Sequence, residues 1–281
     1  MASKIITLVS GANKGIGYET VRSLLESNRA YHVFLGSRSP ERGQEAVKAL
    51  RQEFPGSPST VESIQLDLES DASIEAAFKT VKDSIGRLDV LINNAGVRSS
   101  DTLSLSCADI TPGITKDLDY LRGKVSLRES LAGSYNVNVA GTHVLTWTFI
   151  PLLLKSADPR LIFVTGLGTF GKCAKGDFPL PLLEPGWPKK MDFETVGYRC
   201  TKTALNMLML DYHWKLQKDG VKVWCVGPGF LVTDLGDARE FAVSHGAGHP
   251  SIGGRVLRSV VEGERDGDTG KYVVKDGIFE F

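Results

Sequence analysis

The chain has 281 residues, of which 42% are hydrophobic and 23% are charged, so it can bury a full core as one large α/β domain or as two small ones. Its 33 basic and 33 acidic residues cancel. A chain without net charge gives no electrostatic reason to expect nucleic acid or a membrane as the main partner, so we expect a small, roughly neutral substrate.

Short apolar runs alternate with longer amphipathic stretches, which is the pattern of βαβ units on a parallel sheet. The predicted strands are Ile5 to Val9, His32 to Leu35, Val61 to Leu66, Val90 to Ile92, Leu161 to Thr165, Val221 to Val226 and Tyr272 to Val274. The early helices are predicted over Gly15 to Glu26, Glu41 to Glu53 behind Ser39-Pro40, and Ile74 to Ile85 with Asp71 as a possible N-cap. Because no linker or repeat interrupts this order, the sequence predicts one Rossmann-type, doubly wound α/β domain over residues 1–281. We expect about seven strands, with helices on both faces of the sheet.

A glycine-rich turn, Ser10-Gly11-Ala12-Asn13-Lys14-Gly15-Ile16-Gly17, follows the first predicted strand and opens the first helix. Glycines let the backbone turn tightly, approach a pyrophosphate closely and pack the helix on the sheet. The helix N-terminus adds N–H donors and a partial positive charge. The turn therefore predicts a dinucleotide site.

The end of the second predicted strand indicates which dinucleotide is bound. It runs Leu35-Gly36-Ser37-Arg38 and lacks the carboxylate that would hold a ribose 2′-hydroxyl. Arg38 can form paired bonds to a 2′-phosphate, and Lys14 can reach the same phosphate. Either cation alone could be a solvated surface charge, but together they favour NADP(H).

Tyr198 and Lys202 stand four residues apart in Gly-Tyr-Arg-Cys-Thr-Lys. On a helix such residues lie on one face, so the ammonium would favour the ionised phenol and make it a proton donor near neutral pH. The same short pattern also arises by chance, so its meaning depends on the rest of the chain.

The rest of the chain resembles the short-chain dehydrogenase/reductase family. The turn resembles the family's TGxxxGIG signature, with Ser10 where Thr is usual. Asp67-Leu68 follows the third strand, where the family places an Asp that bonds the adenine ring. Asn93-Asn94-Ala95-Gly96 matches the NNAG segment that lines the cofactor.

Further matches follow in the family's order. Asn138-Val139-Ala140-Gly141 matches the NxxG segment, whose Asn holds a water in the proton relay to the catalytic Lys. Pro228-Gly229 and Thr233 match positions that contact the nicotinamide and its carboxamide. The resemblance, from about Ile5 to Val274, implies an NADP-dependent oxidoreductase. Such an enzyme would transfer hydride to a carbonyl, C=N or C=C carbon. Within the family, the Asn-Lys-Gly-Ile-Gly run looks most like the carbonyl reductases.

The resemblance implies these roles residue by residue. Tyr198 would donate the proton, Lys202 would lower the Tyr198 pKa and bind the nicotinamide ribose, and Asn138 would hold the relay water. The cofactor-binding residues implied by the turn, the charges and the resemblance are Gly11, Asn13, Lys14, Gly15, Ile16, Gly17, Arg38, Asp67, Leu68, Asn94, Ala95, Gly96, Tyr198, Lys202, Pro228, Gly229 and Thr233.

One catalytic position departs from the family pattern. The family's Ser stands just past the fifth strand, and here that position is Gly166. Thr165 would need a local bend to substitute, because successive strand side chains point to opposite faces. Thr169 could instead fold back, or the site could work without a hydroxyl. Loss of such a donor slows an ordinary ketone reductase by about two to three orders of magnitude, whereas an iminium or conjugated enone depends on it less.

Two irregular stretches, about 97–134 and 167–197, interrupt the alternation of strands and helices. The second carries four prolines between Phe178 and Pro188, which exclude regular helix and central strand. We expect both stretches to form pocket wall or partner surface, which suits a bulky substrate. The segment Phe178 to Met191 could also cover the face through which family members associate, so monomer and homodimer both stay open.

Gly166 and the inserts leave two other functions open. The chain could be a repurposed reductase scaffold that catalyses isomerisation or cyclisation of a natural-product intermediate. It could also be an NADPH-binding protein without turnover, although the presence of Tyr198, Lys202 and Asn138 argues against this.

The remaining features indicate the compartment. Cys107, Cys173, Cys200 and Cys225 are scattered without a CxxC pair, so neither a zinc site nor a disulfide framework is indicated. No charged-then-apolar leader is present, and no apolar run reaches about 18 residues. We expect a cytoplasmic, metal-free protein.

Overall fold

The protein is built on an eight-stranded sheet in which seven strands are parallel, as the computed structural model shows. The structure describes residues 4–96, 119–166, 170–176, 182–189, 196–232, 243–244 and 246–281. The strands are β1 (Ile5–Val9), β2 (Tyr31–Ser37), β3 (Thr60–Gln65), β4 (Val90–Asn93), β5 (Arg160–Val164), β6 (Lys222–Gly227), β7 (Tyr272–Val274) and β8 (Gly277–Phe279). Their order is β3-β2-β1-β4-β5-β6-β7-β8. Successive strands are added on one side of β1 up to β3 and on the other side from β4 onwards. α/β sheets of this type bind ligands at this switch between β1 and β4.

Helices flank this sheet. They are α1 (Gly15–Glu26), α2 (Pro40–Glu53), α3 (Asp71–Ser84), α4 (Leu127–Tyr135), α5 (Thr142–Leu153), α6 (Phe170–Ala174), α7 (Val196–Leu216) and α8 (Ser251–Val261). A π-helical turn, Asn136–Gly141, joins α4 to α5. In the described part of the chain, no helix combines the length and the apolar composition needed to cross a bilayer.

Both faces of the sheet are covered, so the doubly wound α/β fold predicted from the sequence is confirmed. One core cluster packs the sheet against α3, α5 and α7, and the other packs it against α1, α2 and α8. Successive residues of β5 belong to different clusters: Phe163 lies in the first cluster and Val164 in the second. Strands buried on both faces explain the nearly continuous apolar runs in the sequence.

Two details of the predicted fold were wrong. Strand β8 was not predicted, because it begins with a glycine and contains only two apolar residues; it pairs antiparallel with β7. The N-cap of α3 is Ser70, whose hydroxyl accepts the N–H of Ser73, while Asp71 is the first helical residue. Asp is favoured at an N-cap and also in the first turn, where it complements the helix dipole. Ser70 and Asp71 therefore both resemble an N-cap residue in the sequence.

Large apolar side chains remain on the outside of α5 and α7. Trp147 is 65% exposed, Met207 is 65% exposed and Trp214 is 81% exposed. The parts of α5 and α7 that carry these side chains are therefore open to solvent.

Two glycines of α8 bring that helix close to the glycine-rich turn. A Cβ at Gly253 would lie 2.8 Å from Pro228 Cβ and 3.3 Å from Ile16 Cγ2, and a Cβ at Gly254 would collide with the backbone carbonyl of Glu19 in α1. The close approach of α8 and α1 thus holds Ile16 and Pro228, two predicted cofactor residues, in one place.

We predict that Gly254→Ala lowers the free energy of unfolding by about 1–3 kcal/mol, because the backbones of α1 and α8 must separate to admit the methyl group. Urea denaturation followed by circular dichroism measures the change. Gly56→Ala is the matched control, since an added Cβ there has nothing within 4 Å. Equal stability of the two variants would contradict the close packing of α1 on α8.

Candidate active site

The predicted catalytic residues meet at the carboxyl edge of the sheet. Gly96 follows β4 and Gly166 follows β5, while Tyr198 and Lys202 lie on α7. Asn138 lies in the π-helical turn before α5 and is buried. π-helical turns inside α-helices are frequent at functional sites. Residues far apart in sequence are therefore brought to one place.

Ser10 fastens the glycine-rich turn to the segment after β4. Its buried hydroxyl accepts the N–H groups of Asn94 and Ala95, each at 3.0 Å, and donates to the carbonyl of Ile92 at 3.3 Å. The Asn94 side chain returns two bonds, from Nδ2 to the carbonyls of Ser10 at 2.9 Å and Gly11 at 3.2 Å. Two predicted cofactor segments thus form one rigid unit.

The turn has the shape and the donors that a pyrophosphate requires. Gly11 and Gly15 have φ values of +64° and +59°, and a Cβ at Gly11 would lie 2.8 Å from Ala95 Cα. A Cβ at Gly17 would lie 2.6 Å from the carbonyl oxygen of Gly11. In the part of the chain that the structure describes, the side chain of the N-cap residue Lys14 makes no capping hydrogen bond to α1. The first turn of α1 contains no acidic residue. The first N–H groups of α1 can therefore donate hydrogen bonds to a bound anion.

Other predicted cofactor residues lie along the same edge. Arg38 is exposed directly after β2. Asp67 is partly buried after β3, where its Oδ1 accepts the N–H of Glu69 at 3.0 Å and its own N–H donates to Ser73 Oγ at 3.0 Å. Leu68 is buried beside it. The Asp67 carboxylate is thus held in a fixed turn at the end of β3.

The segment after β6 completes this edge. Pro228 is buried, and Gly229 is exposed with a φ of +98°. Asn13 is partly buried in the glycine-rich turn. Thr233 and Thr169 lie outside the described residues.

Tyr198 and Lys202 lie on one face of α7, as their spacing predicts. Lys202 Nζ lies 5.7 Å from the centre of the Tyr198 ring. The buried ammonium donates to the carbonyl of Val164, at the end of β5, at 2.9 Å. This bond fixes α7 against the strand that leads to Gly166.

The ionisation of this pair differs from the prediction. Burial raises the pKa of Tyr198 to about 12, with a further rise from nearby Tyr272, and burial lowers the pKa of Lys202 to about 8, opposed in part by Cys225. We predicted that the ammonium would lower the Tyr198 pKa. In this structure burial is the largest cause of both pKa shifts, because loss of hydration disfavours the charged form of each group.

Asn138 is oriented by a residue that the sequence analysis missed. Its Nδ2 donates to Thr201 Oγ1 at 3.0 Å, and the Thr201 hydroxyl donates to the carbonyl of Tyr198 at 2.7 Å. Asn138 Oδ1 and Lys202 Nζ lie 3.6 Å and 3.8 Å from the Cβ position of Gly96. The amide oxygen and the ammonium therefore border the same small space. The position of Thr201 between Tyr198 and Lys202 was the only signal in the sequence.

Gly166 lies directly against the catalytic pair. A Cβ at this position would lie 3.4 Å from the Tyr198 hydroxyl and 3.3 Å from Lys202 Cγ. A side chain at position 166 would therefore touch the phenol oxygen. Glycine leaves that place without a hydroxyl.

Thr165, the predicted weak substitute, has a buried hydroxyl. Its Oγ1 makes no hydrogen bond of normal geometry within the described part of the chain. Burial raises the pKa of the adjacent Tyr272 and Cys225 side chains, and Thr165 opposes that rise in part. Its N–H donates to the carbonyl of Val226 at 2.9 Å. The Thr165 hydroxyl is thus directed toward β6 and β7.

Comparisons with known proteins agree with this architecture. A family profile described as short chain dehydrogenase matches residues 5–175. The short-chain dehydrogenase/reductase tropE of Talaromyces stipitatus is 45% identical, and the alignment covers 99% of this chain and 97% of the relative. The short-chain dehydrogenase/reductase eupG of a Phoma species is 39% identical over 94% of this chain and 92% of the relative. The NADPH-bound carbonyl reductase from chicken fatty liver has the same fold, with a TM-score of 0.73 at 22% identity, over 99% of this chain and 100% of that chain.

We predict that Lys202 titrates with a midpoint near pH 8, against an ordinary value of 10.5, because its buried ammonium is poorly hydrated. Heteronuclear NMR of lysine-labelled protein measures this, and Lys202→Met assigns the signal. Lys175 is the internal reference, since its bond to Glu280 raises its pKa. A Lys202 midpoint above 10 would contradict the described burial.

Proposed function

This chain belongs to the short-chain dehydrogenase/reductase family, and we propose that it transfers hydride from NADPH to a carbonyl carbon, or to an activated C=N or C=C carbon, of a small organic substrate. As a member of this family it is an oxidoreductase that acts with a nicotinamide cofactor. The observation that carries the proposal is the convergence of Tyr198, Lys202 and Asn138 on the space beside Gly96 and Gly166.

Tyr198 supplies the proton in this proposal. Its pKa of about 12 keeps the phenol protonated at neutral pH, so the proton is present when a substrate atom develops negative charge. Lys202, held by Val164, lies close enough to stabilise the phenolate that remains. Asn138, held by Thr201, places its amide oxygen beside the same Gly96 position that Lys202 Nζ approaches. The bound cofactor would supply the hydride.

The cofactor is held by the edge that Ser10 organises. The pyrophosphate would bind the first turn of α1, the adenine would lie near Asp67, and the nicotinamide end would reach Tyr198 and Lys202. The strand end Leu35-Gly36-Ser37-Arg38 carries no acid, and the exposed Arg38, together with Lys14 in the glycine-rich turn, supports NADPH over NADH. NADPH bound to a carbonyl reductase of the same fold supports the same choice.

The absence of a hydroxyl at Gly166 affects which kinds of substrate the site can reduce. A ketone oxygen in this site would receive a hydrogen bond from Tyr198 but none from position 166. An iminium or a conjugated enone carries its own activation and needs mainly orientation and hydride delivery. The same glycine favours a second candidate, isomerisation or cyclisation of the substrate without net reduction.

Purified protein mixed with NADPH and a panel of ketones, quinones, imines and enones tests the function through the loss of absorbance of NADPH. We predict that Tyr198→Phe lowers kcat by about 100- to 10,000-fold because the proton donor is lost. Tyr212→Phe on the same helix is the control, since its hydroxyl bonds His143 instead.

Absence of NADPH consumption with every substrate, despite tight binding of NADPH, would rule out the reductase function. A rearranged product without net reduction in the same mixtures would favour the second candidate.

Reversal of charge at Arg38 tests the cofactor assignment. We expect Arg38→Asp to weaken NADPH binding by about 10- to 100-fold, because a carboxylate repels the 2′-phosphate, while NADH binding is retained or improved. Fluorescence titration measures both dissociation constants. Lys48→Asp makes the same charge change at an exposed position of α2 and should leave the ratio unchanged. An unchanged ratio in Arg38→Asp would contradict the assignment.

Restoring a hydroxyl tests the role of Gly166. We expect Gly166→Ser to raise kcat/KM for unactivated ketones by about 10- to 100-fold, while Gly166→Ala, which adds the same Cβ without the oxygen, gives no gain. The Cβ must fit at 3.3–3.4 Å from its neighbours, so small shifts of Lys202 and Tyr198 accompany both variants. Equal ketone activity in the serine and alanine variants would show that the site already has an oxyanion donor.

A further inference from the structure

A buried phenol, Tyr272 of β7, lies against the same glycine that borders the Tyr198 hydroxyl. Its hydroxyl donates to the carbonyl of Gly166 at 2.6 Å, and its side chain is 1% exposed. Tyr198 Oη lies 3.4 Å from the Cβ position of that same glycine. The two phenols therefore flank one peptide unit, although 74 residues separate them in the sequence (272 − 198 = 74).

A glycine in the intervening strand makes this contact possible. A Cβ at Gly227 of β6 would lie 2.6 Å from both the hydroxyl oxygen and Cε2 of Tyr272. The Tyr272 ring therefore lies against the backbone of β6 at Gly227, where a side chain would collide with it. Any larger residue at position 227 would displace the phenol from Gly166.

Two further aromatic rings hold Tyr272 in place. Phe279 packs edge-on at a centroid distance of 5.9 Å, and Phe281 stacks on the phenol ring at 6.2 Å with an interplanar angle of 25°. Ring packing from β8 and beyond fixes both χ angles of Tyr272. The hydroxyl is thus presented to Gly166 by a rigid support.

Gly166 needs such a support. Glycine has the largest conformational freedom of any residue, and here it follows directly on Val164 and Thr165 at the end of β5, with no side chain to pack against Tyr198. A hydrogen bond to its carbonyl fixes the orientation of the peptide, and Tyr272 supplies that bond.

We propose that Tyr272 is a positioning residue of the active site: by binding the Gly166 carbonyl, it holds the end of β5 against the Tyr198 hydroxyl. The inference rests on the proposed function, because positioning matters only if Tyr198 transfers a proton. Misplacement of a catalytic contact by about 1 Å can cost about 100-fold in rate.

The test compares Tyr272→Phe with Tyr31→Phe in the full chain. Both variants remove one hydroxyl from a fully buried ring, but Tyr31 bonds Glu262 in another part of the fold. We expect Tyr272→Phe to lower kcat by about 10- to 100-fold with less than about a threefold change in the KM for NADPH, while Tyr31→Phe keeps both values. Gly227→Ala, which displaces the phenol without removing it, should lower kcat in the same way.

Amide hydrogen exchange provides a readout without turnover. A peptide that contains Val164 to Gly166 should exchange faster in Tyr272→Phe than in wild type, and at the wild-type rate in Tyr31→Phe. Wild-type exchange in Tyr272→Phe would overturn the inference whether or not the enzyme is active. An active wild type with an unchanged kcat in Tyr272→Phe would also overturn it, and would leave the proposed function standing. Absence of NADPH consumption by the wild type would rule out the proposed function, and with it the positioning role of Tyr272 in catalysis.

Discussion

The hydrogen bond from Lys202 Nζ to the Val164 carbonyl joins helix α7 to the end of β5, and the geometry of the site depends on it. Lys202 is buried, so an ammonium without this acceptor would bear the full cost of lost hydration. With the bond in place, Tyr198 faces Gly166 and Thr201 meets Asn138. The strand, the helix and the π-helical turn are thereby placed around one small space.

The same burial that fixes this pair also separates the two pKa values. In water a tyrosine and a lysine have pKa values of 10.0 and 10.5, whereas here burial moves them to about 12 and about 8. The phenol therefore retains its proton more strongly than the ammonium does. This order suits a site in which the phenol gives up a proton only to a strongly basic atom that forms during the reaction.

Local patterns predicted the parts of the fold that depend on neighbours in the sequence. The apolar run of β1 and the helix opened by Gly15 have the predicted bounds, because alternation of polarity and glycine placement are local properties. The N-cap of α3 was placed one residue late, because Ser70 and Asp71 both suit a helix start and only the backbone geometry distinguishes them. Strand β8 begins with a glycine and has only two apolar residues, so no apolar run in the sequence indicates it.

The residue types at the site can be identified from the sequence: the YxxxK pair, the glycine-rich turn and the glycine at position 166. How those residues act on one another depends on the tertiary structure. The bonds that organise the site span 84 residues from Ser10 to Asn94, 63 from Asn138 to Thr201 and 106 from Gly166 to Tyr272. Spacing along a helix fixes contacts three or four residues apart, but hydration, and with it the charge of a side chain, depends on every segment that packs around it.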